Sequence, residues 1–140
     1  METDNTLTIT LTVDTAKIKP GKVDDYISFS DGQEHPKGQK PEEFTSKVKK
    51  NMEVEWIGKP KDEKSGDVIS IKKVNWEKDA KILREKDHHG NNKGKVNARV
   101  KDEHVPGEEK YSLHFSVTYK DQKTQNFPPI DPKLTMAKEA

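Results

Sequence analysis

Regular alternation of apolar and polar residues is the feature that most constrains how this chain folds. It is clearest at residues 111–119, where an apolar side chain occupies every second position. Successive side chains of a β-strand point to opposite faces, so a period of two predicts a strand that is buried on one face. The apolar set is expected inside and the polar set outside or against a polar layer: Leu113, Phe115 and Val117 inward, and Ser112, His114 and Ser116 on the other face.

Similar runs recur along the rest of the chain. Alternating or β-branched stretches occupy residues 7–13, 27–29, 52–56, 68–74, 96–100 and 130–136. Polar segments rich in turn residues separate them, at residues 31–43, 58–67, 87–94 and 101–110. Turn chemistry at this spacing is typical of antiparallel sandwiches and barrels. No linker is long enough to divide the chain, so a single domain spanning residues 1–140 is predicted.

Residues 75–86 leave two alternatives open. Trp76, Ala80 and Leu83 would share one face of a helix, so a short helix is the first alternative. The second is a hairpin with its turn at residues 77–79. The strands expected on both sides of this segment favour the hairpin.

The balance of charged residues limits the classes of partner. Lys and Arg number 26 against 25 Asp and Glu, and Arg84 and Arg99 are the only arginines. Surfaces that read nucleic acids favour Arg, because its planar guanidinium binds two acceptors at once. Interleaved lysines and acids predict a solvated surface and no nucleic-acid partner.

Missing residue types and segments exclude further classes. Cysteine is absent, which rules out disulfides, Cys-ligated zinc, iron–sulfur clusters and thiol catalysis. No window of 18 consecutive apolar residues occurs, so membrane insertion is not expected. Residues 1–14 are acidic and then alternate, unlike a signal peptide. A cytoplasmic protein is expected, with export of a form processed before residue 1 left open.

Two parts of the sequence resemble a known group of folds. The strand YSLHFSVTYK, followed after a loop by IDPKLTM, resembles the closing hairpin of small bacterial cupredoxin-like and immunoglobulin-like domains. The stretch VKKNMEVEWIG resembles the cupredoxin pattern of a polar turn before V-x-W. The resemblance implies an all-β, antiparallel Greek-key β-sandwich of seven or more strands. It implies no copper site, because the cysteine ligand is absent.

Two adjacent imidazoles, His88 and His89, are the most evident candidates for binding a metal ion. A Zn²⁺ or Cu²⁺ site would also need His35 or His104, because neighbouring residues rarely face one ion. The spacing of these histidines matches no metal-binding motif. A solvated polar turn is therefore favoured, and neither a metal nor another cofactor is predicted.

Catalytic motifs are missing from the sequence as well. It contains no G-x-S-x-G, no H-E-x-x-H and no glycine-rich phosphate loop. Its paired carboxylates lie in charged, turn-like surroundings rather than as the separated acids that a glycosidase needs. The sequence therefore predicts that the protein is not an enzyme.

The predicted function is a non-catalytic binding or structural module that engages a protein partner or associates with itself. Sheet edges are the places where a partner strand is most readily added. The candidate edges are residues 7–13 and 130–136. Prolines in the second segment prevent full pairing on both sides, so it is either an edge strand or a strand that enters its sheet late. The candidate partner-binding residues are Leu134 and Met136, which are expected to pack inward, and Trp76, for which a role in capping the core is the alternative.

Two other functions stay open. One is a loop-based module for a carbohydrate or a metal, built on Trp76 and the histidines. The other is a small enzyme without a local sequence motif.

Overall fold

Short β-strands make up most of the fold, as the alternation predicts. The computed structural model describes residues 6–32, 40, 43–76, 81–83, 87–89, 95–103, 105 and 107–136. Over these residues the strands are β1 (Thr6–Val13), β2 (Ile27–Ser30), β3 (Thr45–Val48), β4 (Glu53–Pro60), β5 (Val68–Asn75), β6 (Asp87–His89), β7 (Val96–Arg99), β8 (Glu108–Lys110), β9 (Ser112–Thr118), β10 (Thr124–Asn126) and β11 (Lys133–Met136). Two 3₁₀ turns, Pro20–Lys22 and Asp24–Tyr26, precede β2. Within the described part of the chain, no helix has the length and apolar character needed to cross a bilayer.

The strands form three sheets. Sheet A has the order β2-β1-β4-β7, sheet B the order β3-β11-β8, and sheet C the order β10-β9-β5-β6. The segment that enters β11 connects the last two sheets. Ile130 first pairs with Leu113 of β9, and from Lys133 onward the chain pairs with β3 and β8 instead.

Two strand pairs are parallel, so the prediction of a purely antiparallel arrangement is wrong. β1 runs parallel to β4, from Thr6 opposite Glu53 to Val13 opposite Pro60, and β11 runs parallel to β3. The alternation determines which face of a strand is buried, but it carries no information on the direction of the neighbouring strand. The fold is all-β with mixed and antiparallel sheets.

The inward-facing residues of all three sheets form one hydrophobic core. Leu113, Phe115 and Val117 of β9 are buried, which confirms the predicted face of that strand. Ser116 is also fully buried, although the alternation places it on the polar face. β9 lies between β10 and β5, where Ser116 is opposite Asn126 on one side and Ser70 on the other, and its hydroxyl has no hydrogen-bond partner among the described residues.

Four short strands were not predicted: β3, β6, β8 and β10. β8 consists of charged residues and β10 of exposed polar ones, so neither carries an apolar pattern. β6 falls in the segment 87–94, which was predicted to be a loop, and pairs antiparallel with β5. β6 and β10 form against the longer strands β5 and β9, and β3 and β8 form against β11, because each of these neighbours offers backbone groups that need partners. The choice between helix and turn at residues 77–80 lies outside the described residues.

Gly58 of β4 marks a close approach between sheets A and C. A Cβ atom at this position would lie 2.7 Å from Cβ of Ile69 in β5. We expect Gly58→Ala to lower the free energy of unfolding by about 1–3 kcal/mol, because overpacking a dense core forces side chains and backbone apart. Urea denaturation measures this loss.

Gly21→Ala is the matched control for that substitution, because a Cβ at Gly21 meets nothing within 4 Å. The control variant should be as stable as the wild type or slightly more stable. An equal loss of stability in both variants would contradict the close approach of β4 and β5.

Candidate functional site

A row of polar side chains lies on the side of β9 opposite the core. We call Ser112, His114, Ser116 and Thr118 the β9 polar row. The Ser112 hydroxyl donates to Oδ1 of Asp131 at 2.9 Å. Nε2 of His114 lies 3.0 Å from Oδ1 of Asn75 on β5. An amide oxygen only accepts, so this bond places the imidazole hydrogen on Nε2.

The surroundings of His114 favour the neutral form of its ring. Partial burial lowers the pKa of His114 below its ordinary value, and the nearby Lys73 lowers it further, while Asp131 acts in the opposite direction. The ring contacts an amide through Nε2, and the Ser112 hydroxyl is held by Asp131 instead. Ser112 and His114 are therefore held by two separate hydrogen bonds, and among the described residues neither the Ser112 nor the Ser116 hydroxyl is bonded to a histidine base that could activate it.

This shift predicts a pH dependence of stability. The unfolded chain binds a proton at His114 more readily than the folded chain, since the folded-state pKa lies below 6.5. The neutral ring makes its full contribution to the free energy of unfolding above pH 6.5. This contribution decreases as the pH falls from 6.5 to the lowered pKa. We expect His114→Gln, which keeps a hydrogen-bond donor, to reduce this slope in unfolding measured between about pH 7.5 and about pH 5. Identical slopes in the two proteins would contradict the assignment.

The predicted partner-binding residue Trp76 belongs to a buried aromatic cluster. Tyr111 lies between the two tryptophans, with ring centroids 5.6 Å from Trp56 and 5.5 Å from Trp76. Burial raises the pKa of the Tyr111 hydroxyl, which stays neutral and accepts a hydrogen bond from Nε1 of Trp56 at 3.1 Å. Only 3% of Trp76 is exposed, so its ring packs in the core and forms no open platform.

The other two predicted partner-binding residues are buried as well. Leu134 and Met136 face the core, which confirms their predicted inward packing. Of the two alternatives for residues 130–136, the sheet edge is wrong, because β11 lies between β3 and β8, and the strand that enters its sheet late agrees with pairing on both sides from Lys133 onward. The prolines precede β11, and from Lys133 onward every residue has an amide donor. The strand at residues 7–13 is not an edge either, because β1 lies between β2 and β4.

The candidate metal ligands fall largely outside the described residues. The backbone of His88 and His89 belongs to β6, whereas His35 and His104 lie beyond the described segments. Among the described residues, no group of three or more His, Cys, Asp or Glu side chains could hold a metal ion. That added Zn²⁺ raises the melting temperature no more than it does for a protein with ordinary surface histidines stays a prediction.

Two acidic residues hold distant loops in place by accepting hydrogen bonds from them, a role that the sequence did not indicate. The Glu109 carboxylate accepts hydrogen bonds from the backbone N–H groups of Lys81 at 2.8 Å and Ile82 at 3.1 Å. Asp67 accepts from the Thr15 hydroxyl at 2.5 Å, and this bond is the main cause of the lowered pKa of Asp67. The partners lie 28 and 52 residues apart along the chain, so no local pattern reveals them.

Most of the sheet edges are approached by other segments. β2 and β3 are linked to each other, because Phe29 stacks on Phe44 at 5.1 Å and the Ser46 hydroxyl donates to the buried Asp31 at 2.6 Å. The loop bound by Glu109 lies beside β8. Leu83 pairs with the residue that follows β7. β10 differs, since all three of its side chains are exposed and no described segment pairs with its outer side.

A comparison with solved structures identifies a similar fold. The chain resembles the inclusion body protein PixA from Burkholderia cenocepacia J2315, with a TM-score of 0.61, 11% sequence identity and coverage of 94% of each chain. At this identity the similarity shows the fold alone. No family model and no curated protein matches the sequence.

Proposed function

We propose that this protein is a non-catalytic structural module that associates with copies of itself. The observation that carries the proposal is the shared fold, which extends over nearly the whole length of a protein described as an inclusion body protein. An inclusion body contains many copies of a protein, so the same architecture is a reasonable scaffold for packing like chains together. A fold alone does not determine a function, which makes an association experiment necessary.

The chemistry of the polar groups supports a role without catalysis. His114 is bonded to an amide, and the carboxylate near it holds the Ser112 hydroxyl. Glu109 and Asp67 are occupied by backbone and hydroxyl donors of neighbouring loops. These groups stabilise the fold in pairs, whereas a hydrolytic site needs a nucleophile, a base and an orienting group in contact.

We also propose that the three sheets pack as a Greek-key sandwich of the immunoglobulin-like or cupredoxin-like kind, within one domain spanning residues 1–140. The single core shared by the three sheets supports this proposal. A cytoplasmic location stays a prediction. Trp76 is buried, so it cannot serve as the exposed aromatic platform that the carbohydrate-binding alternative needs.

Sedimentation velocity across protein concentration tests self-association. We expect the average mass to rise between about 5 µM and about 500 µM and to fall again on dilution, as mass action requires. Repeating the series at high salt separates strand pairing from attraction between charges, because salt screens only the latter. A monomer at every concentration would contradict the proposed function.

A further inference from the structure

We propose that two copies of this protein pair through the outer side of β10, antiparallel and about a twofold axis at Gln125, so that two copies of sheet C become one continuous sheet. This inference rests on the proposed self-association and names one surface through which two copies pair. The occupant is a second copy of the chain, and the recognition is by backbone hydrogen bonds of the kind that add a strand to an open edge.

The hydrogen bonds of β10 show which backbone groups are available. The amide of Tyr119 donates to the carbonyl of Lys123, and the amide of Phe127 donates to the carbonyl of Phe115. In an antiparallel pair, residues alternate between bonding to one neighbour and to the other. The odd-numbered residues of this hairpin arm therefore bond to β9, and the N–H and C=O groups of Thr124 and Asn126 point outward.

These outward groups are self-complementary. In a twofold pairing, Thr124 lies opposite Asn126 of the second copy, and Gln125 lies opposite its own equivalent. The outward N–H and C=O groups of Thr124 then bond to the C=O and N–H groups of Asn126 in the second copy, and the same pair recurs on the other side of the axis. A twofold interface of this kind uses the same patch on both copies and closes at a dimer.

The ends of β10 limit the added ladder. Pro128 and Pro129 have no amide hydrogen, so pairing cannot extend past Phe127. At the other end, Gln122 has a positive φ of 73° and turns the chain back toward β9. So short a ladder implies a weak, reversible dimer that accumulates only at high protein concentration.

Charge distinguishes β10 from the edge strands β3, β7 and β8; the edge strand β2 is also uncharged, but its Phe29 stacks on Phe44 of the segment that leads into β3. Charged residues make up 36% of the chain, and charged side chains lie on β3, β7 and β8. Charges on an edge strand discourage pairing between copies. β10 consists of Thr, Gln and Asn, all exposed and uncharged. In the twofold register Lys123 lies opposite Phe127 of the second copy, so like charges do not meet across the axis.

The absence of native cysteine makes disulfide cross-linking a direct test. Gln125 would occupy a non-hydrogen-bonded pair across the axis, where Cα atoms lie about 4.5 Å apart, within the range that a disulfide spans. We expect Gln125→Cys to form a disulfide-linked dimer under mild oxidation. The matched control is Ser28→Cys, at an exposed position of the β2 edge. Cross-linking at position 125 should be at least about tenfold faster, because pairing raises the effective thiol concentration.

Asn126→Pro is the second variant, and it removes one outward amide while leaving the bonds to β9 in place. We expect the same melting temperature as the wild type and a clear loss of concentration-dependent mass in sedimentation velocity. If the wild type associates but this variant associates equally, or if Ser28→Cys cross-links faster than Gln125→Cys, the β10 pairing is overturned and the proposed function stands. A wild type that stays monomeric overturns the proposed function itself.

Discussion

Removal of residues 133–140 is expected to abolish cooperative folding, because it takes out the central strand of sheet B. β11 pairs with β3 on one side and with β8 on the other, so its loss leaves two short strands without a partner. Leu134 and Met136, both buried, are lost from the core in the same step. Thermal unfolding followed by circular dichroism measures the effect, and a sloping transition without cooperativity is the expected result.

Two substitutions within β11 show how much stability a buried and an exposed side chain of this strand each contribute. Leu134→Ala should lower the free energy of unfolding by about 2–5 kcal/mol, since the side chain is fully buried. Lys133→Ala should change it by less than about 1 kcal/mol, because its ion pair with Glu108 at 3.6 Å is largely exposed. A truncated protein that unfolds cooperatively with wild-type stability would contradict the central position of β11. If it folds fully but no longer associates, this segment is part of the partner interface, and both the central position of β11 and pairing through β10 alone are contradicted.

The sequence could predict strand faces but not strand neighbours. Alternation at residues 111–119 correctly identified Leu113, Phe115 and Val117 as core residues, because a period of two reports which face is buried. It could not show that β1 pairs on both edges or that β4 runs parallel to it. Pairing depends on contacts between residues distant along the chain. The same limit explains why β11 was predicted to be an edge.

The candidate site was harder to predict than the core. β10 has no apolar alternation, and its bonds to β9 are what make it a strand. The hydrogen bond between His114 and Asn75 joins residues 39 apart. Trp76 was among the candidate partner-binding residues, yet its ring packs against Tyr111. A large aromatic residue at the end of a strand can turn into the core, and neighbouring sequence does not report that rotation.

Phe115→Ala is expected to be the most destabilising single substitution in β9. The ring is 1% exposed and stacks on Phe127, with centroids 5.4 Å apart and an interplanar angle of 11°. Truncation leaves a cavity and removes this aromatic contact, so we expect a loss of about 3–5 kcal/mol in the free energy of unfolding. Urea denaturation with an unchanged m-value would attribute the loss to the folded state.

His114→Ala is the matched control, one residue away on the opposite face of the same strand. It removes one partly solvated hydrogen bond, to Asn75, and should cost about 1 kcal/mol. Phe127→Leu, alone and combined with Phe115→Ala, measures the contact between the two rings. Because the residues touch, the loss of stability in the double variant should differ from the sum of the two single losses. Equal destabilisation by Phe115→Ala and His114→Ala would mean that the two faces of β9 are equally buried. The period of two would then no longer explain how this strand is placed in the fold.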